Sequence, residues 1–198
     1  MLFRSPIQGI DEVEYLTNHS LFDIEELPKE LIIIGGGPIG TEMSQAFANL
    51  GSKVTVIDMT ARIMTNDDPE LTEILYQELK NEGVEYELSA EVKSVSQSTE
   101  GRISVHIEVD GVSKTIEADK LLMATGRKPN IEGLGLDNAG IEYSKKGIQI
   151  NKSCRTNKKN IYAIGDISSK YQFTHMSEHM AKVATSRALL KIPMRLDH

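Results

Sequence analysis

The sequence predicts an α/β fold with a Rossmann-type parallel sheet and an antiparallel β-meander. A continuous apolar run at residues 31–34 leads directly into a glycine cluster and then a helical pattern. Strand and helix periods then alternate as far as residue 88, an order that implies parallel strands joined by right-handed crossovers. Between residues 91 and 117, three segments alternate apolar and polar side chains, which indicates antiparallel strands.

Each predicted element has its own signal. The run at 31–34 has no polar position and therefore suits a strand buried on both faces. Gly51 ends the first helix, and Asp68 before Pro69 marks the start of the second. The other predicted strands cover residues 54–57, 84–88, 91–96, 102–109, 112–117, 121–124 and 161–164, and the predicted helices cover about 38–50, 69–83 and 176–190.

Composition excludes several classes of protein. The 198 residues are 39 % hydrophobic and 26 % charged, which is typical of a globular chain. A net charge of −7 without a basic patch argues against a nucleic-acid partner. The longest apolar run is too short for a bilayer and no signal region is visible, so we expect a cytoplasmic protein without a membrane partner. The single cysteine, Cys154, is expected to be a packed thiol, and no metal site is expected.

The chemistry lies in the pattern Gly35-x-Gly37-x-x-Gly40, which follows a strand and opens a helix. In this pattern the first glycine permits a tight turn, the second lets a pyrophosphate approach the backbone, and the third lets the helix pack closely on the strand. Pro38 and Ile39 lie in the first helical turn, whose free N–H groups attract phosphates. The pattern therefore predicts a dinucleotide site; a glycine turn without a ligand is the alternative.

Asp58 at the end of the second predicted strand indicates which dinucleotide binds. It follows Gly40 at about the spacing at which an acid meets the adenosine ribose. Its carboxylate would accept a hydrogen bond from the 2′-hydroxyl and repel a 2′-phosphate, which favours NAD(H). The next residue, Met59, is also predicted to contact the cofactor. Arg62 could partly offset that repulsion, so NADP(H) stays open.

Four segments together carry a family resemblance. They are Leu27-Pro28-Lys29, Gly35-Gly36-Gly37-Pro38-Ile39-Gly40-Thr41-Glu42, Ala124-Thr125-Gly126-Arg127-Lys128-Pro129-Asn130 and Ile161-Tyr162-Ala163-Ile164-Gly165-Asp166. In this order they resemble the pyridine nucleotide-disulfide oxidoreductases, a family that includes dihydrolipoamide dehydrogenase, mercuric reductase and glutathione reductase. Gly40 and Asp58 resemble the dihydrolipoamide dehydrogenase pattern most.

The resemblance implies an NAD(H)-binding domain at residues 28–125 inserted into an FAD domain, with partial FAD-domain flanks at 1–27 and 126–198. It implies that Glu42 supports the flavin side through a lysine. The implied cofactor contacts are Thr125, Gly126 and Arg127 for NAD(H), and Gly165, Asp166, Thr174 and His175 for FAD in the longer protein.

The chain also departs from the family pattern. It has one glycine-rich motif instead of two, no pair of redox cysteines, no lysine to meet Glu42, and no dimerisation domain with its catalytic histidine. Pro38 replaces a gating tyrosine found in some members. The resemblance therefore implies part of a homodimeric parent that moves electrons between NAD(H), FAD and a disulfide or metal substrate. We expect no catalytic residue, and no activity, in this chain alone.

Three hypotheses follow. The first is an oxidoreductase module whose flanks, 1–27 and 126–198, lack a complete core and expose an apolar patch. The second is a stand-alone NAD(H)-binding module or sensor with ordered termini. In the third, the glycine motif binds FAD.

Overall fold

The computed structural model describes residues 7–169 and 171–196 and divides the chain into two compact units, the first ending at Gly126 and the second beginning at Arg127. The first unit contains β1 (Glu30–Ile34), α1 (Pro38–Leu50), β2 (Lys53–Ile57), α2 (Pro69–Asn81), β3 (Glu85–Glu87), β4 (Ala90–Gln97), β5 (Ile103–Val109), β6 (Val112–Ala118) and β7 (Lys120–Met123). The second unit contains α3 (Leu136–Ala139), β8 (Tyr143–Ser144), β9 (Gly147–Ile148) and α4 (Thr174–Ala188).

A four-stranded parallel sheet organises the first unit. Its order is β3-β2-β1-β7, and every neighbouring pair is parallel. Helices α1 and α2 connect consecutive strands, whereas the antiparallel meander β4-β5-β6 lies between β3 and β7 in the chain. The predicted α/β class, with its parallel sheet and meander, is confirmed.

Strand β1 is buried on both faces, as its unbroken apolar run predicts. Ile32 and Ile34 belong to a core that includes Val105 of the meander. The alternate residues Leu31 and Ile33 belong to a second core that includes Phe47 of α1. The period of two along a strand thus divides one apolar run between the meander face and the helix face.

Both crossover helices begin where predicted, and α1 also ends where predicted, whereas α2 ends at Asn81, two residues before the predicted residue 83. Pro38 is the first residue of α1, and Gly51 ends that helix in the left-handed conformation at φ 105°. Asp68 caps α2 because its side chain accepts hydrogen bonds from the N–H groups of Glu70 and Leu71. These local signals fix both helix starts independently of the rest of the fold.

The segment before β1 packs against the first unit. Leu16 forms a parallel bridge with Leu122, so it extends the sheet beyond β7 by one residue pair. Ile10, Val13 and Leu21 are buried in the two cores. Of the predicted flank 1–27, residues 1–6 lie outside the described part of the chain.

The second unit has two small cores and departs from one expectation. The strand predicted at 161–164 is wrong: Tyr162 makes a single bridge with Arg155, and a 3₁₀ turn begins at Gly165. An apolar run becomes a strand only beside a ladder partner, and residues 154–156 supply too short a neighbour. Cys154 is fully buried and burial raises the pKa of its thiol, as expected of a packed cysteine.

Candidate functional site

Three strands of the parallel sheet end at one edge, where the predicted site residues follow them. Ile34 pairs with Ile57 of β2 and with Met123 of β7, so the three strands finish level with one another. Gly35, Asp58 and Ala124 are the next residues of these strands. The edge at the carboxyl ends of parallel strands is where open α/β sheets bind ligands. The structure therefore brings the glycine motif, Asp58 and the start of the 124–126 segment together.

Two glycines of the motif are required by the fold itself. Gly35 has φ +112°, and a Cβ there would lie 2.6 Å from the carbonyl oxygen of Ala124. A Cβ on Gly40 would lie 1.8 Å from the carbonyl oxygen of Gly35. The close packing predicted for the third glycine is thus present, because helix α1 rests directly on the turn that follows β1.

Gly37 is different, because nothing in the described chain requires a glycine there. Its φ is −76° and its ψ −173°, which any residue adopts, and a Cβ would meet no atom within 4 Å. It is the N-cap of α1, yet no side chain caps that end and no acid lies in the first turn. Pro38 is exposed and Ile39 half-buried in that turn. The open space therefore lies at the positive end of a 13-residue helix.

Asp58 is a half-buried carboxylate with three hydrogen bonds inside the chain. The N–H of Gly36 donates to Oδ2 at 2.5 Å, and the N–H and Oγ1 of Thr60 donate to Oδ1 at 2.8 and 2.6 Å. A carboxylate has about four lone-pair positions, so one remains for an external donor. The sequence did not identify Gly36 or Thr60 as partners, although an Asp followed two residues later by Thr is a known turn signal.

The other residues predicted beside Asp58 are placed differently. Arg62 donates to the carbonyl oxygens of Thr65 and Asp67 at 2.7 and 3.2 Å, and to Thr72 Oγ1 at 3.0 Å. Its guanidinium therefore holds the turn that precedes α2. Met59 is 78 % exposed. Glu42 is also exposed, in α1.

In the first unit, Thr125 and Gly126 are exposed just beyond β7, and Gly126 has φ +133°. In the second unit, Arg127 donates to the carbonyl oxygen of Gln172 and has Nη1 3.8 Å from Asp166 Oδ2. Asp166 is half exposed, so the pair is well hydrated.

The remaining residues assigned to FAD also lie in the second unit. Gly165 has φ +74°, and a Cβ there would lie 3.0 Å from Ser177 Oγ, which places the 3₁₀ turn against the start of α4. Thr174 is the first residue of α4, which begins two residues before the predicted start at about 176. The exposed His175 ring stacks on Phe173 with 5.4 Å between centroids. The 165–167 turn and the start of α4 are therefore neighbours.

None of the helices in residues 7–169 and 171–196 is long and apolar enough to cross a membrane. Within the same residues, no group of three or more His, Cys, Asp or Glu side chains is placed to hold a metal ion.

This geometry defines a class: parallel α/β proteins with a glycine turn after the first strand and an antiparallel meander before the strand that pairs with it. The model of the pyridine nucleotide-disulphide oxidoreductase family matches residues 3–181, and the chain belongs to that family. It is 36 % identical to a mercuric reductase of Staphylococcus aureus, covering 96 % of this chain and 35 % of the relative. It is also 36 % identical to a dihydrolipoyl dehydrogenase of Geobacillus stearothermophilus, covering 92 % and 39 %.

Solved structures share the fold of this chain. The HOCl-induced flavoprotein disulfide reductase RclA of Escherichia coli, as its Cu(II) complex, matches with a TM-score of 0.85 at 31 % identity, over 94 % of this chain and 42 % of that one. LpdA of Mycobacterium tuberculosis matches with a TM-score of 0.80 at 28 % identity, over 91 % and 39 %. The chain thus spans well under half the length of these relatives.

Proposed function

We propose that the first unit binds NAD(H) at the carboxyl ends of β1, β2 and β7, with the pyrophosphate against Gly37 and the first turn of α1. The observation that carries this proposal is the open space at Gly37. Gly35 and Gly40 are needed for packing, whereas at Gly37 neither packing nor conformation requires a missing side chain. A ligand that needs the bare backbone accounts for this glycine.

The chain's own groups would bind and orient the dinucleotide. The free N–H groups and dipole of α1 would receive the pyrophosphate, with no acidic side chain in the first turn to oppose it. The fourth lone-pair position of Asp58 would accept the ribose 2′-hydroxyl. A 2′-phosphate would meet the carboxylate, while Arg62 is engaged with carbonyl oxygens, so NAD(H) is preferred to NADP(H). When bound, the nicotinamide supplies or accepts a hydride.

We further infer that the chain is the nicotinamide-nucleotide part of a longer, flavin-dependent disulfide oxidoreductase of the cytoplasm, acting as a homodimer. Relatives named mercuric reductase and dihydrolipoyl dehydrogenase support this inference. FAD would be held by the rest of that protein together with the 165–166 turn and the start of α4, where the Asp166 carboxylate would accept a hydrogen bond from a ribityl hydroxyl. The 198 residues contain one cysteine, so the chain alone is expected to reduce no disulfide.

A stand-alone NAD(H)-binding module is the second candidate, favoured by the packing of Ile10 and Leu16 into the first unit. The second unit favours the longer protein, because Leu189, Leu190 and Ile192 are 75, 63 and 46 % exposed. Light scattering of the purified chain separates the two: concentration-dependent association fits an uncovered apolar surface, and a monomer at all concentrations fits the stand-alone module.

The test of NAD(H) binding is a calorimetric titration of the wild-type chain with NADH, and with NADPH and FAD in parallel. Saturable binding of NADH, with weaker NADPH binding, is the expected result. Saturable FAD binding that NADH cannot displace would assign the glycine motif to the flavin. If NADH, NADPH and FAD all fail to bind, a dinucleotide site in this chain is refuted.

A further inference from the structure

The glycine turn is held through the backbone of Gly36, the glycine between the two that the motif specifies. Its N–H donates to Asp58 Oδ2, and its carbonyl oxygen accepts from the N–H of Met64 at 2.8 Å and from Thr41 Oγ1 at 3.3 Å. Both backbone polar groups of Gly36, its N–H and its carbonyl oxygen, are therefore hydrogen-bonded. Gly36 is buried, and a Cβ on it would lie 3.2 Å from Asp58 Oδ2.

The loop that contains Asp58 and Met64, the partners of Gly36, is itself held by hydrogen bonds. Residues 58–64 form a loop after β2, and Thr60 Oγ1 lies 2.6 Å from Asp58 Oδ1 and 2.9 Å from the carbonyl oxygen of Arg62. The carbonyl oxygens of Asp58 and Thr60 accept hydrogen bonds from Ala90 and Ser89, both at 2.9 Å. The loop is thus tied to the beginning of the meander, and it presents a rigid acceptor to Gly36.

We propose that Asp58 is a positioning residue that holds the glycine turn in its binding-ready conformation, in addition to any contact with the ribose. The inference rests on the proposed NAD(H) site and extends it. Three donors face this carboxylate: the N–H of Gly36, and the N–H and hydroxyl of Thr60. Because the turn is built before the ligand arrives, binding is spared the cost of ordering it.

The positioning role and a purely ribose-contacting role predict opposite effects on cofactor preference. If Asp58 only contacts the ribose, Asp58→Ala weakens NADH and strengthens NADPH. If Asp58 holds the turn, the same change weakens both, and also weakens an NADH analogue with a 2′-deoxyadenosine. A turn that is ordered about one tenth of the time lowers every affinity about tenfold.

The first measurement is made on the free protein and needs no cofactor. Amide hydrogen exchange of Gly36 and Met64 is expected to be slow in the wild-type chain and fast in Asp58→Ala. Asp67→Ala is the matched control, since it removes the same charge from an exposed aspartate of the next turn. Rapid exchange of the Gly36 amide in the wild type would overturn the proposal, even if Asp58→Ala fails to fold.

The second measurement is calorimetry of the wild type, Asp58→Ala, Asp58→Asn and Asp67→Ala with NADH, NADPH and the 2′-deoxyadenosine analogue. Asparagine keeps one acceptor and turns an NH₂ group toward the other donors, so an intermediate loss is expected. Loss of NADH binding with a gain in NADPH binding would overturn the positioning role. Wild-type protein that binds no NADH would overturn the proposed function instead, while the Gly36 amide still reports on Asp58.

Discussion

Two alanine substitutions in the glycine motif, Gly37→Ala and Gly40→Ala, should have opposite effects on stability and on binding. At Gly40 the new Cβ would start 1.8 Å from the carbonyl oxygen of Gly35, far inside contact distance. Helix α1 must move away from the turn, and we expect a loss of about 1–3 kcal/mol or more in the free energy of unfolding, as for other overpacked sites.

At Gly37 the new methyl group meets nothing within 4 Å, and the backbone suits alanine. Alanine lowers the conformational entropy of the unfolded chain, which stabilises the fold, and this roughly offsets its poorer N-capping. The free energy of unfolding should therefore change by less than about 0.5 kcal/mol. The methyl group would instead displace a phosphate oxygen from the backbone. One lost charge-assisted hydrogen bond, about 1.5–3 kcal/mol, corresponds to roughly ten- to hundredfold weaker NADH binding.

Urea unfolding and calorimetry with NADH measure the two effects on the same preparations. We expect Gly37→Ala to be as stable as the wild type but to bind NADH more weakly. Unchanged NADH affinity in a folded Gly37→Ala protein would refute the assignment of the open space to the pyrophosphate. Wild-type stability of Gly40→Ala would refute the close packing of α1 on the turn.

Three further predictions concern stability and reactivity. Tyr86→Phe should change the free energy of unfolding in urea by less than about 1 kcal/mol, since the Tyr86 hydroxyl makes no well-formed hydrogen bond among the described residues and its polar neighbour, the Ser44 hydroxyl, already donates to the carbonyl oxygen of Thr41. Burial raises the pKa of Asp119, but the Glu30 N–H and Arg102 lower it more, so the folded-state pKa lies below the ordinary value of 3.8. The Asp119 carboxylate should therefore stabilise the fold fully above pH 3.8, and this contribution should be lost as the pH falls through the folded-state pKa. Urea unfolding measured from pH 3 to pH 6 should show the loss in the wild type and not in Asp119→Asn. Cys154 should react slowly with a disulfide reagent in the native protein and rapidly in urea, because it is buried and burial raises its thiol pKa.

Each of these has a contrary result. A clear loss of stability in Tyr86→Phe would mean that the hydroxyl has a partner. Parallel pH profiles for the wild type and Asp119→Asn would mean that the carboxylate gains nothing on folding. Equal reaction rates of Cys154 in native and unfolded protein would mean that the core around it opens readily.

The elements that the sequence predicted correctly are those with local signals. β1 had an unbroken apolar run, α2 had its aspartate cap and proline, and the meander had period-two alternation with turn glycines. The strand at 161–164 failed because pairing depends on a distant partner that no local pattern reveals. The turns at Ile10–Glu12 and Leu21–Asp23 were missed for the same reason, as their burial comes from the sheet they pack on.

Within the candidate site, the motif gave the separate purposes of Gly35 and Gly40, and the structure has the packing that both require. The hydrogen bond from Gly36 to Asp58 could not be predicted, because its donor comes from another strand end and its distance depends on the sheet register. The two hydrogen bonds from Thr60 had a local turn signal that the sequence analysis did not use. Arg62 was predicted at the dinucleotide site, where it could partly offset the repulsion of a 2′-phosphate by Asp58; in the structure its guanidinium donates to carbonyl oxygens of the following turn. Sequence spacing indicates which residues follow strands. It does not indicate which of their hydrogen-bond donors and acceptors are engaged by other groups of the chain.

The pairing of β1 with β7 also has a consequence for how the chain matures. Residues 31–34 pair with residues 120–123, and Gly35 lies against Ala124, so the edge that holds the glycine turn is closed by a segment made much later in synthesis. The meander between them is built from neighbouring hairpins, which can form early because their contacts are local. Once folded, it shortens the loop that β7 must close. Ligand binding during translation would therefore begin only after residue 124 has left the ribosome, which makes such binding a natural marker of the completed first unit.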